Sequence, residues 1–207
     1  GRDRADFYRT LSRVRLYAES VRNDLQFTLD GIREAITMMA GLPGRKAILY
    51  VSDGLPMRAA EDLFWALDER FRDDSQVGQD VSTAVMEIFQ FDSSRSFAEI
   101  SSLANANRVT FYTVDAAGLR VGGMRSAEFE GTQFSVGIDQ IHTNNLQDSI
   151  MYMADRTGGT SIVNTNNIMA GLNRIASDFE NRYSLGYSPG HGGTARRYKI
   201  NVDLKKE

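Results

Sequence analysis

Apolar residues recur along the chain in two patterns, and these predict the order of helices and strands. Spacings of three and four residues, as at Phe7, Leu11 and Val14, are typical of amphipathic helices, whereas short apolar runs closed by Gly or Pro are typical of strands. Helices are predicted at residues 3–24, 28–41, 59–71, 94–107, 146–156 and 168–181. Strands are predicted at residues 47–51, 109–114, 160–163, 183–187 and 198–204.

The run at residues 47–51, A-I-L-Y-V, is the one around which the other elements are arranged. It is too short for a helix, and it is enclosed by Gly44 on one side and by Gly54 and Pro56 on the other. A near-continuous apolar run of this kind predicts a strand buried on both faces of a parallel sheet. Because predicted helices precede and follow it, the expected fold class is α/β, with a Rossmann-like, mainly parallel sheet flanked by helices.

Three stretches depart from this alternation. The last two strands are separated by a Gly-rich turn at residues 190–193, which predicts a C-terminal antiparallel hairpin over residues 182–205. Residues 116–144 are Gly-rich and are interpreted as an irregular insertion, with a short hairpin at 129–138. Residues 72–83 are interpreted as a loop, and residues 85–91 as either an extra strand or a helical turn.

Composition narrows the class of protein. A length of 207 residues suits one domain, and Lys and Arg are scattered within a chain of net charge -3, which argues against a nucleic-acid partner. No apolar run is long enough to predict a membrane span. The chain has no cysteine, so disulfides, thiolate catalysis and cysteine-ligated zinc are excluded.

Acidic residues follow two of the predicted strands. Asp53 comes just after the first strand, and Asp115 ends the next. We expect Val51 and Val114 to lie on adjacent parallel strands, so that both carboxylates open on one cleft at the carboxyl edge of the sheet. A carboxylate beside a Gly turn either holds a hard cation or bonds its own backbone, and two carboxylates can also act as general acid and base. The predicted cleft residues are Asp53, Asp115, Asn164 and Thr165.

A second motif has the form of a hydrolase nucleophile. Residues 186–190 read G-Y-S-P-G, and His191 follows. That motif must lead from a strand into a helix, whereas Ser188 is followed by Pro and Gly and then by another strand, which favours a hairpin turn. His142, the other of the two histidines, is placed in the irregular insertion without an identified partner.

Several stretches in order resemble the von Willebrand factor A (VWA) family. They are T-L-D-G-I-R-E-A-I, L-P-G-R-K-A-I-L-Y-V-S-D-G-L-P, R-V-T-F-Y-T-V-D-A-A-G-L, A-D-R-T-G-G-T-S-I-V-N-T-N-N and R-Y-S-L-G-Y-S-P. The likeness covers residues 28–115 and 146–204 and is closer to the bacterial VWFA-related group, whose members are often predicted to be secreted. It implies a single VWA-like domain over residues 1–207, a Rossmann-like sheet, and a secreted or cell-envelope location.

The resemblance also implies a metal-ion-dependent adhesion site for Mg²⁺ or Ca²⁺. Asp53 matches the family's Asp after the fourth strand, and Thr28, just ahead of a predicted helix, matches its Thr. The family's D-x-S-x-S loop does not precede them, so the chain either lacks the amino-terminal part of the domain or has replaced it. Residues 92–96 spell D-S-S-R-S but lie after Asp53. They are either a rearranged metal loop or a helix cap, with Ser96 and Glu99 spaced as a capping box.

The sequence therefore predicts a non-enzymatic VWA-like module that binds a protein ligand, with a divalent metal at the carboxyl edge of the sheet. The alternative is a degenerate, metal-free VWA-like domain with a structural or assembly role. A hydrolase that uses the Asp53 and Asp115 cleft ranks last, because no nucleophile or histidine pair supports it.

Overall fold

The computed structural model describes residues 2–119 and 135–180, which form a mixed α/β structure. A small parallel sheet is flanked by helices, as the sequence predicted at the level of fold class. The predicted C-terminal hairpin lies outside the described residues. The elements in chain order are α1 (Arg2–Met38), β1 (Lys46–Ser52), α2 (Glu61–Phe71), α3 (Gly78–Met86), a 3₁₀ helix (Glu87–Phe91), α4 (Ser94–Ala106), β2 (Val109–Asp115), α5 (Val136–Thr157), β3 (Ser161–Ile162) and α6 (Ile168–Glu180).

The described sheet has the strand order β1-β2-β3, and both pairs of neighbours are parallel. Val51 lies opposite Val114, and Ser52 lies opposite Asp115. This register confirms the prediction that the two strands that lead to acidic residues are adjacent and parallel. It places their carboxyl ends side by side at one edge of the sheet.

The buried centre of the sheet is β2 and not β1, which corrects the prediction from the apolar run at residues 47–51. Every residue of β2 is buried, whereas β1 alternates between half-buried and exposed positions. Ile48 and Tyr50 face the core, but Leu49 is 51% exposed and Val51 is 59% exposed. An apolar run indicates that its residues favour burial, but it does not show how many faces of the strand are covered. In the described structure only one face of β1 is covered.

Helix α1 is continuous where the sequence indicated two helices with a break near residues 22–24. Leu25 and Leu29 are buried and carry the apolar stripe past this polar stretch to Ile32 and Ile36. The first half of α1 packs with α2, α3 and the 3₁₀ helix, and the second half packs with α4, α5 and the sheet. The helix therefore connects two hydrophobic clusters along its length.

Two stretches interpreted as irregular are helical. The residues Val77, Val81, Ala84 and Ile88 are buried at spacings of three and four. Helix α3 replaces the second half of the predicted loop at 72–83, and α3 with the 3₁₀ helix shows that the ambiguous segment at 85–91 is helical. Helix α5 begins at Val136, inside the predicted insertion at 116–144 and the predicted hairpin at 129–138. Ser135 caps this helix, since its side chain accepts a hydrogen bond from the Ile138 amide. Residues 120–134 lie outside the described structure.

Helix α5 ends at Thr157, as predicted from the Gly pair at 158–159. Gly158 has a φ of 72°, the left-handed conformation that ends many helices. In the part of the chain that the structure describes, no helix combines the length and hydropathy that a membrane crossing requires.

Candidate functional site at the carboxyl edge of the sheet

The two predicted cleft carboxylates meet the same edge of the sheet but differ in exposure. Asp53 directly follows β1 and is exposed, whereas Asp115, the last residue of β2, is 1% exposed. The prediction that strand order brings both residues to this edge is confirmed by the register of β1 and β2. The expectation of an open pair of carboxylates is wrong, because Asp115 is enclosed.

Asp115 is enclosed by hydrogen bonds from α5 and from its own turn. Gln147 Nε2 donates to Asp115 Oδ2 at 2.7 Å and to Asn164 Oδ1 at 2.9 Å. Asn164 Nδ2 donates back to Gln147 Oε1 at 3.1 Å, and the Ala117 amide donates to Asp115 Oδ1 at 3.0 Å. Both carboxylate oxygens therefore have donors, as buried polar groups require. We call these three side chains, Asp115, Gln147 and Asn164, the edge network.

Gln147 was not singled out from the sequence. It is 3% exposed and lies three residues before Ile150 and seven before Ala154, both fully buried, so the helical repeat places it on the inner face of α5. A polar residue on an apolar helical stripe is the signal that indicates such a partner. Asn164 was predicted from the sequence as a cleft residue. Its backbone has a φ of 54°, which directs the chain away from β3 into the next turn.

Thr165 does not join the edge network through any described contact, although it was predicted as a cleft residue. Its hydroxyl accepts a hydrogen bond from the Asn167 amide at 3.0 Å. Asn167 in turn accepts from the Ala170 amide at 3.2 Å, which caps the start of α6. Thr165 therefore shapes the turn between β3 and α6.

The loop that carries Asp53 is fixed against α5. Gly54 has a φ of 110°, and a side chain at this position would lie 2.6 Å from Leu146 Cβ. The Leu55 amide donates to the Leu146 carbonyl at 3.3 Å, and Ser149 Oγ donates to the Leu55 carbonyl at 2.6 Å. Asp53 is therefore presented to solvent from a loop whose backbone is held by its neighbours.

The same loop is held further along by a reciprocal contact. Asn145 Oδ1 accepts from the Arg58 amide at 2.8 Å, and Asn145 Nδ2 donates to the Arg58 carbonyl at 2.7 Å. Such a pair satisfies both backbone groups of one residue, in the way that a strand neighbour would. The loop is thereby tied to α5 at both of its ends.

Thr28, the second predicted metal ligand, is not in position for that role. It lies inside α1 and not ahead of a helix, and its hydroxyl donates to the Asp24 carbonyl at 3.0 Å. Such back-bonding is the usual arrangement for a threonine within a helix. The match between Thr28 and the Thr of the adhesion site is therefore not supported by its local structure.

Residues 92–96 form the start of α4. Asp92 Oδ1 accepts from the Ser94 amide at 2.8 Å, and Asp92 Oδ2 accepts from Arg58 Nε at 3.1 Å. Burial alone would raise the pKa of Asp92, but the hydrogen bonds from Ser94 and Arg58 outweigh it, so that pKa lies below its usual value. Of the two interpretations of this stretch, these contacts favour the helix start over the rearranged metal loop.

The predicted capping box in this stretch is wrong. Ser96 lies within α4 and accepts a hydrogen bond from Gln26 Nε2 at 3.5 Å, while Glu99 accepts from Arg95 Nε at 3.0 Å. The residue before the helix is Ser93, whose side chain makes no capping bond. Asp92 supplies the side-chain acceptor for this helix start instead.

The chain's predicted ligands do not fit a divalent metal site. Mg²⁺ and Ca²⁺ require six or more oxygen ligands, some of which can be water. Asp115 is committed to the edge network, Thr28 to its own helix, and Asp92 to Arg58 and Ser94. Within the described ranges, no three acidic or histidine side chains are grouped so that they could hold a metal ion.

His142 lies on α5, not in an irregular loop as predicted, and it contacts α2. Its Nδ1 is 3.1 Å from Asp62 Oδ2, and Asp62 is 5% exposed. The pair joins the two helices across their interface. The G-x-S-x-G motif at 186–190, with Ser188 and His191, lies outside the described residues.

At the carboxyl edge, the exposed carboxylate of Asp53 thus lies on a fixed loop beside the hydrogen-bonded edge network. Comparisons of the chain with protein-family models, with curated proteins and with solved structures found no match.

Proposed function

We propose that this chain is a non-enzymatic, VWA-like protein-binding module with a Rossmann-like sheet. Its protein ligand contacts the carboxyl edge of the sheet around Asp53, and this contact does not use a bound metal ion. The single observation that carries the proposal is the exposed Asp53 on a loop fixed by α5, beside an edge network that leaves Asp115 no open face.

Fixed presentation of Asp53 favours binding because little conformational entropy remains to be lost. The contacts of Gly54 and Leu55 with Leu146 hold the loop before any ligand arrives. Association costs less when the binding loop is already ordered. A single exposed carboxylate is best matched by a basic side chain, with which it forms a charge-assisted hydrogen bond.

The hydrolase interpretation has less support from the same contacts. General acid and base catalysis requires both groups to reach a substrate. Asp115 is 1% exposed and accepts from Gln147, and His142 contacts Asp62 on α2. These contacts therefore leave neither Asp115 nor His142 placed as the second reactive group of such a pair.

A metal-free structural or assembly role is the second candidate. It is favoured by the saturation of the edge network, since each of its described polar contacts is made within the chain. In this case Asp53 would have no ligand, and its replacement would have no effect on any association. The secreted or cell-envelope location stays a prediction from the family resemblance.

Photo-cross-linking in the source cells tests the proposed function. A photoreactive amino acid replaces Ala117, which is exposed next to the edge network and whose backbone amide contact is retained. We expect one discrete protein adduct that persists in EDTA, is lost with Asp53→Lys, and remains with the control Asp73→Lys on an exposed loop.

Each other outcome selects among the candidates. An adduct that disappears in EDTA supports metal-dependent binding and contradicts the proposal. Absence of an adduct, with both lysine variants behaving like the parent protein, supports the structural role. Equal loss in both lysine variants means that general surface charge, and not Asp53, determines the contact.

A further inference from the structure

The face of α1 that points away from the two hydrophobic clusters carries a regular row of exposed residues. They follow one another at alternating spacings of four and three, and we call them the outer stripe: Arg9, Arg13, Leu16, Ser20, Asn23, Phe27, Asp30 and Glu34. Residues at these spacings lie in one line along a helix. The same alternation forms the contact line of two helices that pack along their length.

Among the described residues, the elements that pack on α1 leave the outer stripe exposed. The side-chain bonds from α1 to its neighbours come from other positions, as in the pair of Arg15 with Glu87 on the 3₁₀ helix. Leu16 is 70% exposed and Phe27 is 83% exposed, so two large apolar side chains of the outer stripe lie in solvent. A partner that covers them removes this apolar surface from water.

Helix α6, which leads to residues 181–207, lies across the sheet from the second half of α1. Phe111 packs in the cluster that contains α1, whereas Val114 points to the other face of β2 because side chains alternate along a strand. Ile162 lies opposite Val114 in the parallel register, and Gly171 of α6 approaches the Ile162 side chain. The strands predicted after α6 would pair through backbone groups at a sheet edge, and the outer stripe is not such an edge.

The charge of the outer stripe changes sign from one end to the other. Arg9 and Arg13 lie near its start, and Asp30 and Glu34 lie near its end. Within the described ranges, Arg9, Arg13 and Glu34 make no salt bridge, whereas Asp30 accepts from Arg33 in the same helix. An exposed pair such as Asp30 with Arg33 contributes little to stability, so it competes weakly with another partner.

We propose that the outer stripe docks on the outer stripe of a second copy of this chain, as an antiparallel pair of α1 helices. The two-fold axis of the pair passes between Ser20 and Asn23. The spacings of the row are the same when read from either end, so an antiparallel copy keeps every member opposite another member. This interface goes beyond the function proposed for the carboxyl edge and uses none of the residues assigned to it.

Charge complementarity identifies a second copy as the occupant. The antiparallel register places Arg9 opposite Glu34 of the partner subunit. It also places Arg13 opposite Asp30 of the partner subunit, and the two-fold axis repeats both pairs, so the contact holds four pairs of opposite charge. A parallel pair in register would instead place each charge against its own copy, which is destabilising.

The centre of the outer stripe fits the same register. Leu16 lies opposite Phe27 of the partner subunit, so the exposed apolar side chains cover one another on both sides of the axis. Ser20 lies opposite Asn23 of the partner subunit, and these short side chains allow the two helices to approach. The paired length from residue 9 to residue 34 is about 38 Å of helix. An interface of this symmetry closes at a dimer.

Charge exchange tests the pairing of Arg9 with Glu34. Light scattering over a dilution series that starts at about 100 µM should show a dimer for the unaltered chain. Arg9→Glu and Glu34→Arg should each weaken it by about tenfold or more, because each places like charges together at two symmetric positions. The double variant restores opposite charges and should restore the dimer to within about threefold. The control Arg174→Glu, at an exposed position on α6, should leave it unchanged.

Cysteine cross-linking tests the register, and the chain contains no cysteine that would interfere. Under mild oxidation, a mixture of Leu16→Cys and Phe27→Cys should form a covalent dimer. Neither variant should do so alone, because the two copies of residue 16 lie about 16 Å apart along the pair, as do those of residue 27. Leu16→Cys mixed with Met169→Cys, at a position on α6 that is 65% exposed, measures random collision and should give at most about a tenth of the product.

Three results would overturn the proposal. One is a monomer at the highest concentration, which would show that the outer stripe does not associate or is covered by another part of the chain. Another is a double variant that is as weak as either single charge reversal. The third is efficient cross-linking of each cysteine variant alone, which would indicate a parallel pair. Glu34→Arg should leave the Ala117 photo-adduct intact, so failure of this interface and failure of the carboxyl-edge function are separable.

Discussion

Gly159→Ala is expected to destabilise the fold by at least about 3 kcal/mol, because the new methyl group would meet the main chain of the central strand. A Cβ atom at residue 159 would lie 1.8 Å from the Phe111 carbonyl oxygen and 2.8 Å from its carbon. β2 is buried along its whole length and pairs with both neighbouring strands, so Phe111 cannot move aside cheaply. Thermal unfolding of the variant should show a midpoint lower by roughly 6–12 °C or more.

Two other glycines provide matched controls for this substitution. Gly31→Ala lies in α1 with nothing within 4 Å of the new Cβ, so it should stabilise the protein by about 0.5–1 kcal/mol. Gly158→Ala imposes a left-handed backbone on an alanine and should cost about 1 kcal/mol. If Gly159→Ala is no more destabilising than Gly158→Ala, the close approach of the turn after α5 to Phe111 of β2 is wrong.

Gln147→Glu is expected to destabilise the protein by about 3 kcal/mol near neutral pH, since it places a second carboxylate against Asp115. Gln147 Nε2 is 2.7 Å from Asp115 Oδ2, and both residues are almost completely buried. The control is Gln140→Glu, an exposed position on the same helix whose described contact is with Asn144, and it should change stability by less than about 0.5 kcal/mol.

The pH dependence of this variant follows from the sign of the expected pKa shift. Burial and the neighbouring carboxylate both raise the folded-state pKa of the introduced carboxyl group above its unfolded value of about 4.3. The loss of unfolding free energy in Gln147→Glu is therefore small below about pH 4, and it grows as pH rises through the raised folded-state pKa. Denaturant unfolding of Gln147→Glu and of the control Gln140→Glu at several pH values measures this change in the free energy of unfolding. A penalty that does not change with pH would show that the carboxyl group at residue 147 is neither buried nor beside Asp115.

The sequence predicts strand adjacency well and strand burial poorly, and the reason is physical. Two apolar runs that each lead to an aspartate, with helices between them, leave few arrangements other than neighbouring parallel strands. The exposure of Leu49 and Val51, however, depends on what covers the second face of β1. That is a property of the assembled layers and cannot be read from a run of apolar residues.

Helix boundaries were missed where polar residues interrupt an apolar stripe. Ala18 and Leu25 lie two turns apart in α1, and both are buried although three polar residues stand directly before Leu25. A stripe requires only one inward residue in each turn, so such an interruption need not end a helix. The helix α3 was missed for the same reason, because the buried Val77, just before the helix, and Val81 within it stand among polar residues.

The residues of the candidate site show the same difference between what local sequence predicts and what depends on tertiary packing. Asp53 could be placed from the sequence because its position depends only on the end of β1. The burial of Asp115 depends on Gln147, and therefore on which face of α5 packs against β2. The role of Thr28 depended on a helix start that the continuous α1 does not have. Local sequence indicates where a residue lies, whereas its partners come from tertiary packing.

Metal titration by calorimetry tests most directly the central claim that the carboxyl edge works without a metal ion. With Mg²⁺ and with Ca²⁺, the account predicts no saturable heat below about 1 mM and no difference among the unaltered chain, Asp53→Ala and Asp92→Ala. Saturable binding at micromolar concentration that is lost in Asp53→Ala and strongly weakened in Asp92→Ala would contradict it, and would establish a rearranged metal site at this edge.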